Sequence, residues 1–266
     1  MSDRPTTNAG DDAAVAWRKT LTQGHAGLNT MRRVMRLLPG DPRCKICQNP
    51  FGGFGGHLCR AIGFKPSRKN PQICSLCCEK MPLGGAEIET AILFADVRGS
   101  TALAERLGPV AYAAALNRFY HTSTDVLIRH DATIDKLIGD EVMAFFTPGF
   151  AGSGFKQSAV AAGQALLRAM GYGSADGAWL PVGVGIDAGI AFVGNVGNEN
   201  FLDFTALGDP VNTAARIQAA AQQGELLVGE AVFSAVADRY PDCEARHLDV
   251  KGKESAISVR SLPTSP

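Results

Sequence analysis

Two apolar runs separated by only two residues place the firmest constraint on the fold of this chain. The runs ATIDKLI and EVMAFF flank Gly139 and Asp140. A two-residue connection that begins with glycine is typical of a β-hairpin with a type II′ turn. The sequence therefore predicts an antiparallel strand pair with Asp140 at its tip.

The segments around this hairpin predict an α+β sandwich. In chain order, the patterns predict a strand at 90–95, a helix that ends at 107, a second helix at 110–129, the hairpin strands at 132–138 and 141–146, a helix at about 155–171 and a long strand at 182–193. Another strand ends near Leu207. Asp209 and Pro210 then predict the N-cap and the first residue of a further helix. The resulting order, β-α-α-β-β-α-β, is typical of an α+β fold.

Changes in composition divide the chain into four predicted parts. Residues 1–11 are polar and are predicted to be disordered. Residues 12–42 carry two helical patterns, residues 43–85 are rich in cysteine, and residues 86–266 form the larger domain. The second helical pattern is amphipathic, with apolar side chains at Met31, Val34, Met35 and Leu38. This helix either docks on its own domain or serves as a dimer or regulatory helix.

The overall charge and hydropathy exclude several classes of protein. Lysine plus arginine and aspartate plus glutamate both number 26, so the formal net charge is zero. This balance argues against a general nucleic-acid or membrane-surface binder. No apolar run approaches the roughly 20 residues that span a bilayer, and the N-terminus lacks the features of a secretion signal. We therefore expect a cytoplasmic protein without a membrane partner.

Cysteines cluster in one short stretch, where six of the seven occur. Four of them form two CxxC pairs: Cys44, Cys47, Cys74 and Cys77. Two such pairs can close a tetrahedral thiolate site, which suits a structural Zn²⁺. An iron–sulfur cluster and a metal-free thiol switch stay open as alternatives. The substitute ligands in the same stretch are His57, Cys59 and Cys78.

Two aspartates follow predicted strands at positions that suit a metal–phosphate site. Asp96 ends the first strand and precedes the turn residues Val97, Arg98, Gly99, Ser100 and Thr101. Small residues at such a turn leave backbone N–H groups free to meet phosphate oxygens. Asp140 lies at the hairpin tip. Carboxylate oxygens suit Mg²⁺ that also binds substrate phosphates, although each aspartate alone also fits a turn or a cap.

Five motifs occur in a fixed order across about residues 88–260: FADVRGST, IDKLIGDEVMAFF, GVGIDAGIAFVGNVG, FTALGDPVNTAARIQ and VKGK. Together they resemble the class III adenylate/guanylate cyclase catalytic domain. The resemblance implies a ferredoxin-like core, with an antiparallel-rich sheet and flanking helices. The cysteine-rich segment would then be a separate small metal-binding module.

The resemblance also implies roles for individual residues. In that family, two Mg²⁺ or Mn²⁺ ions are held by the residues that match Asp96 and Asp140, with help from the backbone carbonyl that matches Val97. Asn212 would orient the ribose, and Arg216 would stabilise the pentavalent phosphate. The triphosphate contacts fall on Arg98, Gly99, Ser100, Thr101 and Lys251, with Lys253 as the alternative to Lys251.

The base-selecting pair of the family falls on Lys136 and Thr205. Lys136 would donate to the N1 acceptor of adenine, and the Thr205 hydroxyl would accept from its 6-amino group. The implied reaction converts ATP into 3′,5′-cyclic AMP and pyrophosphate in a homodimer whose sites are shared across the interface. The sequence departs from the family pattern at Ile190, where some relatives carry arginine. Arg98, in the phosphate turn, would compensate for the missing arginine in binding the triphosphate. Two alternatives stay open: a catalytically silent cyclase-like module that acts through its metal site, and a cyclase for GTP or a pyrimidine nucleotide.

Overall fold

The computed structural model describes residues 9–81, 83–198, 200–248 and 256–264. The chain divides into two compact units. Unit 1 comprises Met1–Ile88, Pro148–Gly152 and Phe192–Ala206, and unit 2 comprises Glu89–Thr147, Ser153–Ala191 and Leu207–Pro266. Unit 1 thus joins the cysteine-rich segment to two stretches that come much later in the sequence.

Helices occur from the first described residues to the C-terminal third of the chain. They are α1 (Ala9–Gln23), α2 (Ala26–Leu37), α3 (Gly53–Ala61), α4 (Ser75–Lys80), α5 (Ser100–Leu107), α6 (Pro109–Arg129), α7 (Pro148–Ala151), α8 (Phe155–Ala169), α9 (Asp209–Ala220) and α10 (Glu230–Phe233). The two helical patterns predicted within residues 12–42 correspond to α1 and α2, which are separated by a break at Gly24 and His25.

The strands form one mixed sheet. They are β1 (Gly84–Val97), β2 (Thr133–Ile138), β3 (Glu141–Phe146), β4 (Val182–Gly197), β5 (Leu202–Leu207), β6 (Leu226–Gly229), β7 (Arg246–Leu248) and β8 (Ile257–Leu262). The strand order is β2-β3-β1-β4-β6-β8-β7, and β5 pairs with β4 outside this path. β3 runs antiparallel to both β1 and β2, β8 runs antiparallel to both β6 and β7, and β4 and β6 are parallel. The predicted α+β class is confirmed.

The predicted order of elements is also confirmed. It corresponds to β1, α5, α6, β2, β3, α8 and β4, with the four-residue α7 inserted before α8. Gly163 in α8 allows the helix to approach the sheet closely, because a Cβ there would lie 2.9 Å from Leu226 Cδ1 and 3.3 Å from Ile186 Cδ1. In unit 2, α8 therefore packs directly on β4 and β6.

The hairpin has the connection that the sequence predicts. β2 and β3 pair with Ile138 opposite Glu141, so that only Gly139 and Asp140 connect them. Gly139 has φ 62°, a value that a primed turn requires and that glycine adopts without strain. Five of the six β3 residues are buried, because β3 lies between β1 and β2. The hairpin tip is therefore anchored by a strand in the interior of the sheet.

Several boundaries differ from the prediction; β4, for example, ends at Gly197 rather than at 193. β1 begins at Gly84, six residues before the predicted start, because buried Ala86 and Ile88 alternate with exposed Glu87 and Glu89. The apolar run alone does not show this half-buried extension. The predicted N-cap at Asp209 is wrong by one residue. Gly208 is the N-cap of α9, with φ 141°, and Asp209 is the first helical residue.

Candidate active site and cysteine cluster

Asp96 and Asp140 lie side by side in unit 2. Asp96 is the penultimate residue of β1 and pairs with Glu141 of β3, so the neighbouring hairpin tip brings Asp140 to it. The backbone N–H of Val97 donates to the carbonyl oxygen of Asp140 at 3.2 Å, and the two carboxyl groups interact directly. The structure therefore brings together the two aspartates that the sequence predicts as metal ligands.

The electrostatics of this carboxylate pair favour a cation. Burial, followed by the negative charge of Asp140, raises the pKa of Asp96, and the Arg98 guanidinium opposes this rise only in part. Burial also raises the pKa of Glu141, and the charges of Asp96 and Asp140 add to the effect. A bound divalent ion would relieve this repulsion among acidic groups. Sequence reasoning missed Glu141, whose proximity depends on the pairing of β1 with β3.

The turn after β1 lies beside the carboxylates. Gly99 is the N-cap of α5 with φ 65°, and Ser100 and Thr101 begin the helix. Arg98 is held locally: one guanidinium nitrogen lies 2.5 Å from Asp96 Oδ2, and the other donates to the carbonyl of Ala219 at 3.3 Å. In this structure, Arg98 therefore binds the acidic cluster rather than projecting as a free phosphate ligand.

The α9 residues Asn212 and Arg216 are not brought to the carboxylates of the same chain. Asn212 is exposed and Arg216 is half-buried. The α9 residue that interacts with Asp96 is Gln218, which is buried. Because successive helical residues turn by about 100°, Gln218 and Arg216 point about 200° apart, on opposite sides of α9. The side of α9 that faces Asp96 is therefore not the side that carries Arg216.

The predicted base-selecting residues lie in different units. Lys136, on β2 in unit 2, places Nζ 3.0 Å from Oδ1 of the buried Asp135. Thr205, on β5 in unit 1, is 4% exposed, and its hydroxyl donates to the carbonyl of Ala206 at 3.4 Å. Ile190 is 62% exposed and thus faces solvent. The predicted phosphate ligand Lys251 and its alternative Lys253 lie outside the described residues.

Four cysteine thiols converge in unit 1. The sulfur atoms of Cys44, Cys47, Cys74 and Cys77 all lie within 4.8 Å of one another, and all four side chains are buried. A knuckle shapes the first pair: Cys44 N–H donates to the carbonyl of Asn49 at 2.8 Å, and Gln48 N–H donates to the carbonyl of Cys44 at 3.0 Å. The suggested substitute ligands His57, Cys59 and Cys78 are outside this cluster.

The geometry of the cluster fits a tetrahedral thiolate site. With Zn–S bonds of about 2.3 Å, tetrahedral sulfurs lie roughly 3.8 Å apart, and the Cys47 and Cys74 sulfurs are separated by 3.7 Å. Burial raises the pKa of the Cys44 thiol, but hydrogen bonds from the other three thiols outweigh it and lower that pKa well below its usual range. Deprotonated thiols that converge in a buried cluster are the ligands that a divalent cation such as Zn²⁺ requires.

Comparison with known proteins identifies the larger domain. The family model described as "Adenylate and Guanylate cyclase catalytic domain" matches residues 86–259. The chain belongs to this family. The matched region contains both aspartates of the carboxylate pair, and the cysteine cluster lies before it.

Individual relatives of this cyclase domain agree with that assignment. An adenylate cyclase of Anabaena cylindrica is 31% identical over 194 residues, which are 68% of this chain and 38% of the relative. An uncharacterized protein of Mycobacterium tuberculosis is 30% identical over 164 residues, which are 62% of this chain and 28% of the relative. The chain thus spans less than two fifths of the length of these two relatives.

Solved structures of cyclases share the fold. The adenylyl cyclase CyaB from P. aeruginosa is 29% identical with a TM-score of 0.57, over 66% of this chain and 93% of that one. The guanylyl cyclase Cya2 is 28% identical with a TM-score of 0.59, over 67% of this chain and 93% of that one. Since both adenylyl and guanylyl cyclases are similar, the family alone leaves the base open.

Outside the cyclase domain, α2 docks on the cysteine-rich segment through arginines that sequence reasoning missed. Arg32 is buried, donates to the carbonyl of Ile46 at 2.6 Å, and lies 4.4 Å from the ring centroid of Phe150. Arg43 donates to the carbonyls of Met35 and Leu38 at the end of α2. The helix therefore packs within unit 1, the first of the two roles that the sequence left open.

No helix in the described part of the chain has the length and the apolar character that crossing a bilayer requires. The amphipathic α2 is 12 residues long, and α6, which has 21 residues, contains several polar side chains.

Proposed function

We propose that the chain is an adenylate cyclase that converts ATP into 3′,5′-cyclic AMP and pyrophosphate at sites shared by two protomers. The observation that carries the proposal is the contact between Asp96 and Asp140 at the adjoining ends of β1 and the hairpin. Two half-buried carboxylates whose negative charges repel each other form a site for the divalent cations that accompany a nucleoside triphosphate.

Asp96 and Asp140, with the carbonyl of Val97, would hold two Mg²⁺ or Mn²⁺ ions. Such ions supply charge neutralisation and help to activate the ribose 3′-hydroxyl for attack on the α-phosphate. In this step the 3′-hydroxyl releases its proton to solvent, its oxygen forms a bond to the α-phosphorus, and the bond between the α-phosphorus and the oxygen of the leaving pyrophosphate breaks. Gly99, Ser100 and Thr101 at the start of α5 would bind phosphate oxygens through backbone N–H groups and hydroxyls.

Asn212 and Arg216 would come from the second protomer. Arg216 lies on the side of α9 opposite to Gln218, the residue that interacts with Asp96 of its own chain, so it is free to serve a different carboxylate pair. A planar guanidinium suits the charge that develops on the phosphoryl oxygens. Asn212, four residues earlier on the same side, would orient the ribose. This arrangement is the physical reason for proposing a homodimer.

Lys136 and Thr205 would select adenine over guanine. A lysine ammonium can donate to the N1 acceptor of adenine, and a threonine hydroxyl can accept from the 6-amino group. Guanine presents an N–H donor at the first position, and an ammonium donor facing it cannot form that hydrogen bond, at a cost of about 1–3 kcal/mol. The ion pair with the buried Asp135 supports this role, because it fixes the position of the Lys136 ammonium on β2.

The four-cysteine cluster would hold a structural Zn²⁺. Most of the binding free energy of such an ion becomes folding free energy of the surrounding segment. Free thiols that serve as metal ligands suit a reducing compartment, so we place the enzyme in the cytoplasm.

A nucleotide panel tests the proposed function. Purified protein is incubated with Mn²⁺ and ATP, GTP, CTP or UTP, and products are identified by mass spectrometry. ATP should give cyclic AMP, and Asp96→Asn or Asp140→Asn should lower turnover by about 10³-fold or more. The matched control is Asp125→Asn, which removes an exposed carboxylate that pairs with Arg129 on α6 and should leave turnover unchanged.

Each other outcome has a defined meaning. Cyclic GMP as the main product would overturn the assignment of Lys136 and Thr205 but not the cyclase activity. Absence of any cyclic nucleotide from all four substrates would favour the alternative of a silent cyclase-like module. Equal losses in Asp125→Asn and Asp140→Asn would remove the carboxylate pair as the reason for activity.

A further inference from the structure

Strand β5, which carries Thr205, is held by the cysteine-rich segment through its backbone. The N–H of Leu202, the first residue of β5, donates to the carbonyl of Lys69 at 3.0 Å. Both residues belong to unit 1. The start of β5 is thus tied to a loop that precedes it by more than 100 residues, so the position of the strand depends on the folding of that loop.

The next residue, Asp203, is bound by a lysine of the first cysteine knuckle. Lys45 Nζ lies 3.4 Å from Asp203 Oδ1, and the Lys45 side chain is 5% exposed. Lys45 follows Cys44 in the first cysteine pair, and its backbone N–H donates to the carbonyl of Gln72 at 3.0 Å. Asp203 and Thr205 are two residues apart and therefore project from the same face of β5. The knuckle contacts the face that carries the predicted base-selecting hydroxyl.

The opposite face of β5 rests on α1. Phe204 is fully buried, and its ring stacks on that of Trp17 with a centroid separation of 5.8 Å and an interplanar angle of 15°. Stacked aromatic pairs at this distance contribute more than their buried area alone. The side chains of two consecutive β5 residues thus contact two separate elements, α1 and the cysteine knuckle.

We propose that Lys45 and Trp17 are positioning residues for Thr205, so that the cysteine module sets the base selectivity of the enzyme. This inference rests on the proposed function, because it assigns Thr205 to base recognition. The contacts hold β5 at its backbone and on both faces, through the three residues that precede Thr205. A strand shift of about an ångström is enough to lose the hydrogen bond between the hydroxyl and the adenine amino group.

The test compares Lys45→Met with Lys65→Met in the full chain. Both variants remove one lysine charge from the same segment, but Lys65 is exposed and no described contact joins it to β5. Lys45→Met should raise KM for ATP about 3- to 10-fold and lower the ratio of kcat/KM for ATP over GTP by a similar factor. Lys65→Met should leave both unchanged, and Lys45→Arg should restore part of the loss.

Hydrogen exchange gives a readout that does not depend on activity. Lys45→Met and Trp17→Leu should each speed exchange of the amides at 202–206 by roughly threefold or more, while bound metal stays equal to that of the wild type. Unchanged exchange in both variants would overturn the proposal, and so would faster exchange in Lys45→Met with unchanged KM and selectivity. If the wild type forms no cyclic nucleotide, the proposed function fails, and exchange alone decides whether the module holds β5.

Discussion

Arg32→Met tests whether α2 stabilises the cysteine knuckle. In the wild type, the buried guanidinium donates to the carbonyl of Ile46 and lies over the ring of Phe150. A hydrogen bond from a charged group contributes about 1.5–3 kcal/mol, and a desolvated cation–π contact about 1–2 kcal/mol. Methionine keeps the apolar stem but loses both interactions. We therefore expect the unfolding free energy of unit 1 to fall by about 3 kcal/mol.

Urea unfolding at a fixed Zn²⁺ concentration measures this loss. Trp17 lies in unit 1, so its fluorescence in a Trp179→Phe background follows that unit. Arg33→Met is the control, because Arg33 is the exposed neighbour on the same helix, and it should change the unfolding free energy by less than about 0.5 kcal/mol. Equal unfolding free energies for Arg32→Met and the wild type would refute the role given to Arg32.

Three further predictions concern the active site. Lys136→Glu should lower kcat/KM for ATP and permit some turnover of GTP; unchanged preference in a nucleotide competition assay would exclude Lys136 from base selection. Arg216→Ala should lower kcat about 10²–10³-fold with a smaller change in KM, and mixing it with Asp96→Asn should restore activity through one intact shared site. Because the fold raises the pKa of Asp96, Asp96→Asn should increase the unfolding free energy at pH 7 without added Mg²⁺ or Mn²⁺. That gain should vanish as the pH falls below the ordinary range of aspartate.

Local patterns were sufficient to predict the order of the core elements. The Gly139 turn fixes the hairpin, and the hairpin tip then meets the end of β1 because β3 pairs with β1. The CxxC spacing was likewise sufficient to select four of the seven cysteines, since two short knuckles place their thiols close together once the backbone turns at Gln48.

Contacts distant in sequence could not be predicted in the same way. Arg32 is buried although arginine is usually exposed. The carbonyl of Ile46 and the ring of Phe150 stabilise its guanidinium, and the apolar pattern of α2 predicts neither contact. Glu141 joins the acidic cluster through strand register, and Gln218 reaches Asp96 from a helix more than 100 residues later. Such neighbours follow from tertiary packing, which hydrophobic periodicity does not encode.

A direct count of bound Mn²⁺ tests the central claim that Asp96 and Asp140 together hold catalytic cations. Electron paramagnetic resonance titrations with a non-cyclisable ATP analogue report free and bound Mn²⁺ independently of turnover. The wild type should bind two Mn²⁺ ions per active site, and Asp140→Asn should lose at least one of them while Asp125→Asn binds both. Equal Mn²⁺ stoichiometry and affinity in Asp140→Asn and the wild type would contradict the account.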